Sequence, residues 1–527
     1  MALGMAINNE FPVNFHKQEN AIKHVPKKAR ADVLLVYPVW VRKGGLGKLQ
    51  RMLPPLGILS IAAYLEQYGY EVHVIDLHAE AIDPSKFRGI VSTLKPRFVG
   101  ITVLSAHFIP ANYIAHICKE EINDVKTIVG GVHAEIETER MLCNPYIDAV
   151  CRGDGEELML EFVQGKPWKD ILGLSFRYER RVVHNSPRPV EVDLDKFPFP
   201  AYHLINFDNY FPPVGSYRNL PAMNALMTRG CPGRCAFCNS AKTTLRSRSP
   251  EKMIQLIKIL RYKYKIRQIY FYDDTFTSNP KVVRQFCEKM IADKIDVKWI
   301  CYVRGDMFND SIAELMAKAG CHQILIGIES GSPTLMAKIG KPIKKSQYKR
   351  VVDVAHKYGI EVRGSFIIGH LDETTETMKE SVQFAIDIDL DLFQLNILTP
   401  YPGTQLFKEA KQSGWLLHER YERYGQSEVI LKLRNLTADE VVKFERKAFY
   451  QFYCRPRAIF RLLAHLSNWH QLKDLFKAAY VIFVETLFNT KKKDTNLQSW
   501  LDYDTESEAI KDIMPSNETR LTYEVRQ

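Results

Sequence analysis

The sequence lacks any apolar run long enough to cross a membrane. Its longest candidate, residues 478–488, is short and contains Glu485, whereas a membrane-spanning helix needs about 20 predominantly apolar residues. Residues 1–30 are polar and carry no apolar segment of the kind found in a secretory signal. Both absences predict a cytoplasmic protein.

Cysteine is scarce, and its distribution is uneven. Only ten of the 527 residues are cysteine, yet Cys231, Cys235 and Cys238 fall within eight positions. In an intracellular chain such clustering favours a metal site over disulfide bonds.

Composition and charge set broad limits. A chain of 527 residues predicts two or three domains. With 46% hydrophobic and 25% charged residues it is typical of a globular protein. A net charge of +11 would suit nucleic acid, anionic lipid or an acidic substrate, but such a charge is more often a solvated surface. Because no nucleic-acid-binding module is recognisable, nucleic acid is not expected as a partner.

Alternating strands and helices predict an α/β domain over residues 31–168, after an N-terminal arm at residues 1–30. Strands are predicted over residues 32–38, 71–77, 98–105, 127–131 and 149–152. Such a series forms a doubly wound, Rossmann-like parallel sheet, which binds ligands beyond the carboxyl ends of its strands. No G-x-G-x-x-G follows the first strand, which argues against a dinucleotide. The polar and glycine residues expected at that edge are Ser105, Gly130, Gly131, His133, Gly153 and Glu156.

A linker rich in proline and aromatic residues is predicted over residues 169–220. Over residues 221–425, six strands alternate with helices and predict a full or partial (β/α)6 barrel. These strands are expected at residues 225–228, 268–272, 298–302, 323–329, 361–368 and 392–398. The C-terminal region, residues 426–527, shows a helical pattern only.

The cysteine cluster, in the sequence CPGRCAFC, directly follows the first predicted barrel strand. Three thiolates on one loop can ligate three irons of a [4Fe–4S] cluster, and Gly230 and Gly233 let such a loop fold tightly. No fourth cysteine is near, so one iron would stay open to a substrate or cofactor. The alternative is a structural zinc site, which usually has four protein ligands.

A C-x3-C-x2-C motif with an aromatic residue before its last cysteine resembles the radical S-adenosylmethionine (SAM) superfamily. The later motifs YFYDDTF, VRG, GIESG, GSFIIGH and LTPYPGT follow in the family's order. The resemblance implies that the open iron binds SAM and that one electron from the cluster cleaves SAM to a 5′-deoxyadenosyl radical. Cys231, Cys235 and Cys238 would then be the catalytic ligands. The implied SAM contacts are Phe237, Asp273, Asp274, Arg304, Glu329 and Gly369.

The N-terminal domain resembles the cobalamin-binding domain of cobalamin-dependent radical SAM enzymes. The similar positions are PPLG at 54–57, Asp76, Ser105, GGVH at 130–133 and RGDGE at 152–156. The resemblance implies cobalamin contacts from Ser105, Gly130, Gly131, His133, Gly153 and Glu156. Because D-x-H-x-x-G is missing after the first strand, no histidine ligand to cobalt is expected. A Rossmann-like domain without cobalamin is the alternative, and His133 is as often a simple turn residue.

Two reactions fit these cofactors. In the first, one SAM methylates the cobalt, another yields the radical, and an unactivated carbon receives the methyl group. The second is oxidation or ring closure, as in the anaerobic magnesium-protoporphyrin monomethyl ester cyclase. A non-catalytic iron–sulfur module for electron transfer is an alternative of another class. The expected partners are a low-potential electron donor, flavodoxin or ferredoxin, and a large hydrophobic substrate.

An amphipathic pattern lies between residues 455 and 493. Arg455, Arg457 and Arg461 precede apolar residues at helical spacing, and a lysine triplet at 491–493 ends the pattern. This is typical of an interfacial helix on anionic lipid and predicts peripheral contact with the inner face of a membrane. The alternative is a helix packed on the barrel or on a partner subunit.

Overall fold

The structure is a computed structural model that describes residues 24–40, 53–179, 181–213, 215–341, 343–464, 472, 499–501 and 523–525. Two sheets dominate it. One lies near the N terminus, and the other lies in the middle of the chain. Both are built around buried hydrophobic strands that alternate with helices, which confirms the predicted α/β fold class.

The N-terminal sheet begins with five parallel strands in the order 2-1-3-4-5. In sheets of this order ligands bind where the strand order switches, between β1 and β3. The strands are β1 Val33–Tyr37, β2 Val72–Asp76, β3 Phe98–Thr102, β4 Lys126–Gly130 and β5 Ala149–Cys151. The helices are α1 Leu56–Gln67, α2 Pro84–Leu94, α3 Phe108–Glu121, α4 Val132–Ile136, α5 Thr138–Leu142 and α6 Gly155–Val163.

Two antiparallel strands, β6 Leu174–Tyr178 and β7 Arg181–His184, extend this sheet. The sequence pattern assigns both to a linker, because the proline and aromatic residues after residue 185 dominate the composition of that stretch. The strands form because Phe176 and Val183 face each other in register and are buried in the main core. Only the residues that follow run as an extended connection.

The second sheet has six parallel strands in sequence order. Its first and last strands do not pair among the described residues, which makes it a partial barrel. Its strands are β8 Ala222–Ala225, β11 Gln268–Phe271, β12 Lys298–Val303, β13 Cys321–Glu329, β14 Glu361–Ile368 and β15 Leu392–Ile397, with a separate ribbon of β9 Thr228–Arg229 and β10 Arg246–Ser247. Its helices are α7 Pro250–Lys258, α8 Pro280–Ala292, α9 Asp310–Lys318, α10 Pro333–Lys338, α11 Lys345–Lys357, α12 Thr375–Asp387 and α13 Gln405–Gln412.

The two sheets are in direct contact. The segment before α1 reaches the barrel, where Leu53 is buried with Tyr270, Ile300 and Leu325. Beside it, the amide of Asn224 on β8 donates to the carbonyl of Pro54 at 2.8 Å. The carboxyl ends of the parallel strands in the two sheets therefore lie at a shared junction.

The C-terminal region packs on both sheets. Helices α14 Ala438–Tyr453 and α15 Pro456–Ala464 follow the barrel, and α14 packs against β15 and α12. The sequence pattern predicts only helices here, but a short strand, β16 Tyr523–Val525, pairs in parallel with β7. The indole of Trp500 is fully buried and donates to the carbonyl of Ile82 at 2.9 Å. The end of the chain thus returns to the N-terminal sheet.

The predicted interfacial helix lies largely outside the described residues. At its start, Arg457 and Arg461 pair with Asp389 of the barrel at 2.6 and 2.7 Å, which favours packing on the barrel for this part. In the part of the chain that the structure describes, none of the helices is long and apolar enough to span a bilayer. Deleting residues 455–527 would remove the predicted helix together with Trp500 and β16, which pack on the N-terminal sheet. Such a truncation would therefore not test a membrane role alone.

We expect Trp500→Ala to destabilise the N-terminal sheet, because the variant empties a site between Phe87 and Tyr113 and removes a hydrogen bond. Large-to-small substitution of a buried tryptophan costs about 3–5 kcal/mol. The measurement is the denaturant midpoint followed by circular dichroism. Phe460→Ala is the control, because that ring is 74% exposed and should leave the midpoint unchanged. An equal loss in both variants would contradict the prediction.

Candidate active site

The cluster loop, residues 230–245, starts from the β9–β10 ribbon rather than directly from a barrel strand. Strand β8 ends at Ala225, three residues before the predicted end. It ends there because the backbone N–H groups that follow bind the side chain of Asp273 instead of a neighbouring strand. Its carboxylate accepts the N–H groups of Met227, at 3.1 Å, and of Thr228, together with the Thr228 hydroxyl at 2.7 Å. Asp273 is fully buried, and burial raises its pKa to about 6 despite these bonds. Its side chain fixes the start of the loop.

The loop is tight at Gly230. Its φ is +92°, and a Cβ there would lie 2.2 Å from the carbonyl oxygen of Thr244, so only glycine fits. Immediately after it, the N–H of Cys231 donates to the Thr243 hydroxyl at 2.9 Å, and the N–H of Thr243 donates to the carbonyl oxygen of Cys231 at 3.1 Å. These contacts bring the two ends of the loop together.

All three predicted cluster ligands, Cys231, Cys235 and Cys238, are free thiols and half-buried. Across the described ranges, no three His, Cys, Asp or Glu side chains converge on a point suited to one metal ion. Three thiols on one loop can each bind a different iron of a [4Fe–4S] cluster and leave the fourth iron open.

Two cations lie next to Cys235. Burial raises the pKa of its thiol, and Lys341 and Arg304 oppose that rise. The Arg304 guanidinium is held by Asp306 at 2.8 Å. Lys341 is in turn paired with Glu329, so the thiols lie beside two ion pairs rather than beside free charges. The fit to a bound cluster rests on the three thiols that the loop carries.

Lys341 is a site residue that the sequence motifs do not indicate. Its ammonium is buried and binds Glu329 at 2.7 Å and the carbonyl of Gly327 at 2.5 Å. Glu329 ends β13 with a φ of +70°, next to a register shift in the strand. The ion pair therefore holds an unusual backbone beside the loop. Glu329 and Lys341 are twelve residues apart in the sequence. Many unrelated surface residues have that separation, so the sequence does not identify them as a pair.

The other implied SAM contacts take different positions around the loop. Asp274 accepts from the Ser240 hydroxyl within the loop at 2.9 Å. Phe237 packs against Leu398 and its neighbours in a small hydrophobic cluster. Gly369 follows β14 with a φ of +84°. Of the six, Asp273 binds backbone N–H groups and Phe237 lies on the cluster loop. The other four lie at the carboxyl ends of β11 to β14: Asp274, Arg304, Glu329 and Gly369.

A cavity of about 310 Å³ lies at the carboxyl edge of the N-terminal sheet, next to the cluster loop. Gly130, Gly131, Gly153 and Glu156, four of the six implied cobalamin contacts, all line it. A Cβ at Gly131 would lie 3.1 Å from the carbonyl oxygen of Val103, and a Cβ at Gly155 would lie 2.7 Å from the Ile61 side chain. Side chains at these positions would collide with neighbouring protein atoms, so packing requires glycine there. Glycine and apolar residues form most of the cavity lining, which fits part of a flat, large ligand such as cobalamin.

Ser105 and His133 are buried beside the cavity rather than in its wall. They hydrogen-bond to each other at 3.2 Å, and the imidazole packs against Phe108 and Tyr421. Burial lowers the pKa of His133 to about 3, so the ring is neutral. Tyr421 comes from the segment after the barrel and covers this edge of the sheet. The implied cobalamin contacts of Ser105 and His133 stay predictions.

Glu156 joins the two halves of the site. Its buried carboxylate accepts from the Arg229 guanidinium at 2.6 Å and from the Ser60 hydroxyl at 2.8 Å. Arg229 directly precedes Gly230, so the cavity and the cluster loop meet at one ion pair.

Comparison with known proteins agrees with this arrangement. Residues 226–385 match the Radical SAM superfamily, and residues 42–163 match the B12 binding domain. An uncharacterized methyltransferase of Pyrococcus horikoshii is 35% identical over 416 residues, which cover 77% of this chain and 89% of that protein. The chain belongs to the cobalamin-binding radical SAM enzymes.

Other members of the family resemble the chain over most of its length. The anaerobic magnesium-protoporphyrin IX monomethyl ester cyclase of Rubrivivax gelatinosus is 28% identical over 444 residues, which cover 80% of this chain and 78% of the cyclase. The radical SAM methyltransferase TsrM of Kitasatospora setae, solved with cobalamin and a [4Fe–4S] cluster, has the same fold. Its TM-score is 0.59 at 21% identity, over 73% of this chain and 79% of TsrM.

Membership in this family confirms that the protein is an enzyme with a [4Fe–4S] cluster, SAM and cobalamin as cofactors. It removes the alternatives of a non-catalytic iron–sulfur module and of a plain Rossmann-like domain. The assignment of individual side chains to each cofactor stays a prediction.

Gly230→Ala should abolish cluster loading, because a Cβ would collide with the backbone of Thr244. The measurement is iron bound per chain after anaerobic reconstitution. Gly414→Ala is the control, since that glycine also has a positive φ of +66° but meets nothing within 4 Å. Normal iron content in Gly230→Ala would show that the loop can close in another way.

Proposed function

We propose that the enzyme transfers a methyl group to an unactivated carbon of a large hydrophobic substrate. The direct contact of Glu156 with Arg229, at 2.6 Å, carries the proposal, because it puts the cobalamin-type cavity next to the cluster loop. A reaction that uses both cofactors on one substrate needs them at one space. The 35% identity to a methyltransferase supports the same reaction.

When bound, the cluster and SAM supply a carbon-centred radical, and cobalamin supplies the methyl group. Cys231, Cys235 and Cys238 would ligate three irons and leave the fourth open. The pair of Glu329 and Lys341 would orient the amino acid part of SAM beside Cys235, since it presents both charges there. These residues bind and orient, and the segment around Tyr421 limits the access of water from the sheet side.

Apolar side chains at the junction support a large hydrophobic substrate. Leu104 and Val132 follow β3 and β4 and are 40% and 45% exposed, and Tyr272 and Tyr302 at the barrel edge are each 37% exposed. Tyr272 lies near Tyr37 at the end of β1. All four lie at the carboxyl ends of parallel strands, where a substrate would meet both cofactors.

Oxidation or ring closure is the second candidate, favoured by the 28% identity to the magnesium-protoporphyrin cyclase. Either reaction requires a reductant, and we propose flavodoxin or ferredoxin as the low-potential donor. A membrane-dissolved substrate would agree with peripheral membrane contact by the C-terminal region. The pairing of Arg457 and Arg461 with Asp389 makes packing on the barrel the stronger alternative.

The reaction is tested by anaerobic turnover with SAM labelled in its methyl group and a panel of polycyclic lipids and tetrapyrroles. Label in the product, together with 5′-deoxyadenosine, is the expected result. The Cys235→Ala variant is the control and should give neither. An oxidised product without label would overturn methyl transfer in favour of the second candidate.

Lys341→Met should leave the cluster but weaken SAM binding about tenfold or more, because loss of one partner leaves a buried charge uncompensated. Here that charge is Glu329. The measurement is the shift of the reduced cluster's paramagnetic resonance as SAM is added. Lys338→Met is the matched control, because Lys338 lies three residues away and pairs with the half-buried Asp372 at the surface. Equal SAM affinity in both variants would contradict this role.

A further inference from the structure

Two arginines stand opposite each other at the base of the cluster loop. Arg229 and Arg246 are partners across the β9–β10 ribbon. Both guanidinium groups cross to the N-terminal sheet: Arg229 binds Glu156 at 2.6 Å, and Arg246 binds Asp154. The segment that carries all three cluster thiols is thus anchored at both ends to the start of α6.

The same side chains form one wall of the cavity. Asp154, Glu156 and Arg229 line it, and the Ser60 hydroxyl, which also lines it, donates to Glu156. A ligand that fills the cavity therefore lies against the residues that hold the cluster loop.

We propose that these two ion pairs couple the cobalamin cavity to the cluster loop. Ordering the loop around its cluster fixes Arg229 and Arg246, which fixes the cavity wall before cobalamin arrives. The conformational entropy lost when cobalamin binds is then smaller, so its affinity is higher. By linkage, cobalamin stabilises the cluster loop by the same factor. The inference rests on the proposed assignment of thiols and cavity to their cofactors, and not on which reaction follows.

The test is anaerobic titration of hydroxocobalamin into protein with and without reconstituted cluster, with Kd measured by quenching of tryptophan fluorescence. Wild-type protein should bind about tenfold more tightly with the cluster, within the range usual for coupled sites. Glu156→Gln and Arg229→Lys should reduce this ratio to about twofold or less. A second readout is the resonance of the reduced cluster, which should change on adding cobalamin in wild type but not in the variants.

Glu161→Gln is the matched control. Glu161 lies on the same helix and pairs with Arg188 and Lys166, all within the N-terminal sheet region. It should keep the wild-type ratio. If Glu156→Gln does not fold by circular dichroism, Asp154→Asn, which releases Arg246, takes its place.

Equal affinities with and without the cluster in wild type would overturn the proposal. So would an unchanged ratio in Glu156→Gln, or an equal loss in Glu161→Gln, which would indicate general destabilisation. Neither readout involves turnover. Absence of methyl transfer in the labelled assay would therefore overturn the proposed reaction and leave the coupling ratio intact.

Discussion

The buried contact of Glu156 with Arg229 is the interaction on which the rest of the site depends. A buried charge is tolerated only with a partner, and here Glu156 lies on helix α6 beside the N-terminal sheet while Arg229 lies on the β9–β10 ribbon that follows the first barrel strand. Because Arg229 adjoins Gly230, the contact fixes the relative position of the cavity and the thiols. Two further contacts stabilise the same junction. Leu53, from the segment before α1, packs among apolar side chains of the barrel, and the Asn224 amide donates to the carbonyl of Pro54.

Close packing at the loop limits which residues can occupy its start. Gly230 cannot carry a side chain against Thr244, and Asp273 uses its carboxylate to hold Met227 and Thr228. A buried carboxylate that accepts several hydrogen bonds rigidifies its surroundings. Three thiols can then be held half-exposed without a fourth ligand. Because the loop carries three thiols, one position of a cluster would stay open to a second molecule.

The order of strands could be predicted because each is a short run of buried hydrophobic residues between turns. The family could be predicted because its motifs lie at strand ends in a fixed order. The contacts between residues far apart in the sequence could not be predicted. Nothing in the sequence near Asp273 shows that it binds backbone, nothing near Trp500 shows that it packs on α2, and β16 is too short for a periodic signal. Lys341 was missed for the same reason, since its partner is identified only by the fold.

The charge distribution around the junction matches the chemistry proposed there. Abstraction of a hydrogen atom creates no net charge, so the reacting carbon needs an apolar, dry wall more than an acid or base. Asp273, Glu156 and Glu329 meet this condition because each has its charge taken up by backbone N–H groups, an arginine or a lysine. The exposed groups at the junction include Leu104, Val132, Tyr272 and Tyr302. In the proposed arrangement, charged groups would face the thiolates and the amino acid part of SAM, and apolar and aromatic side chains would face the substrate.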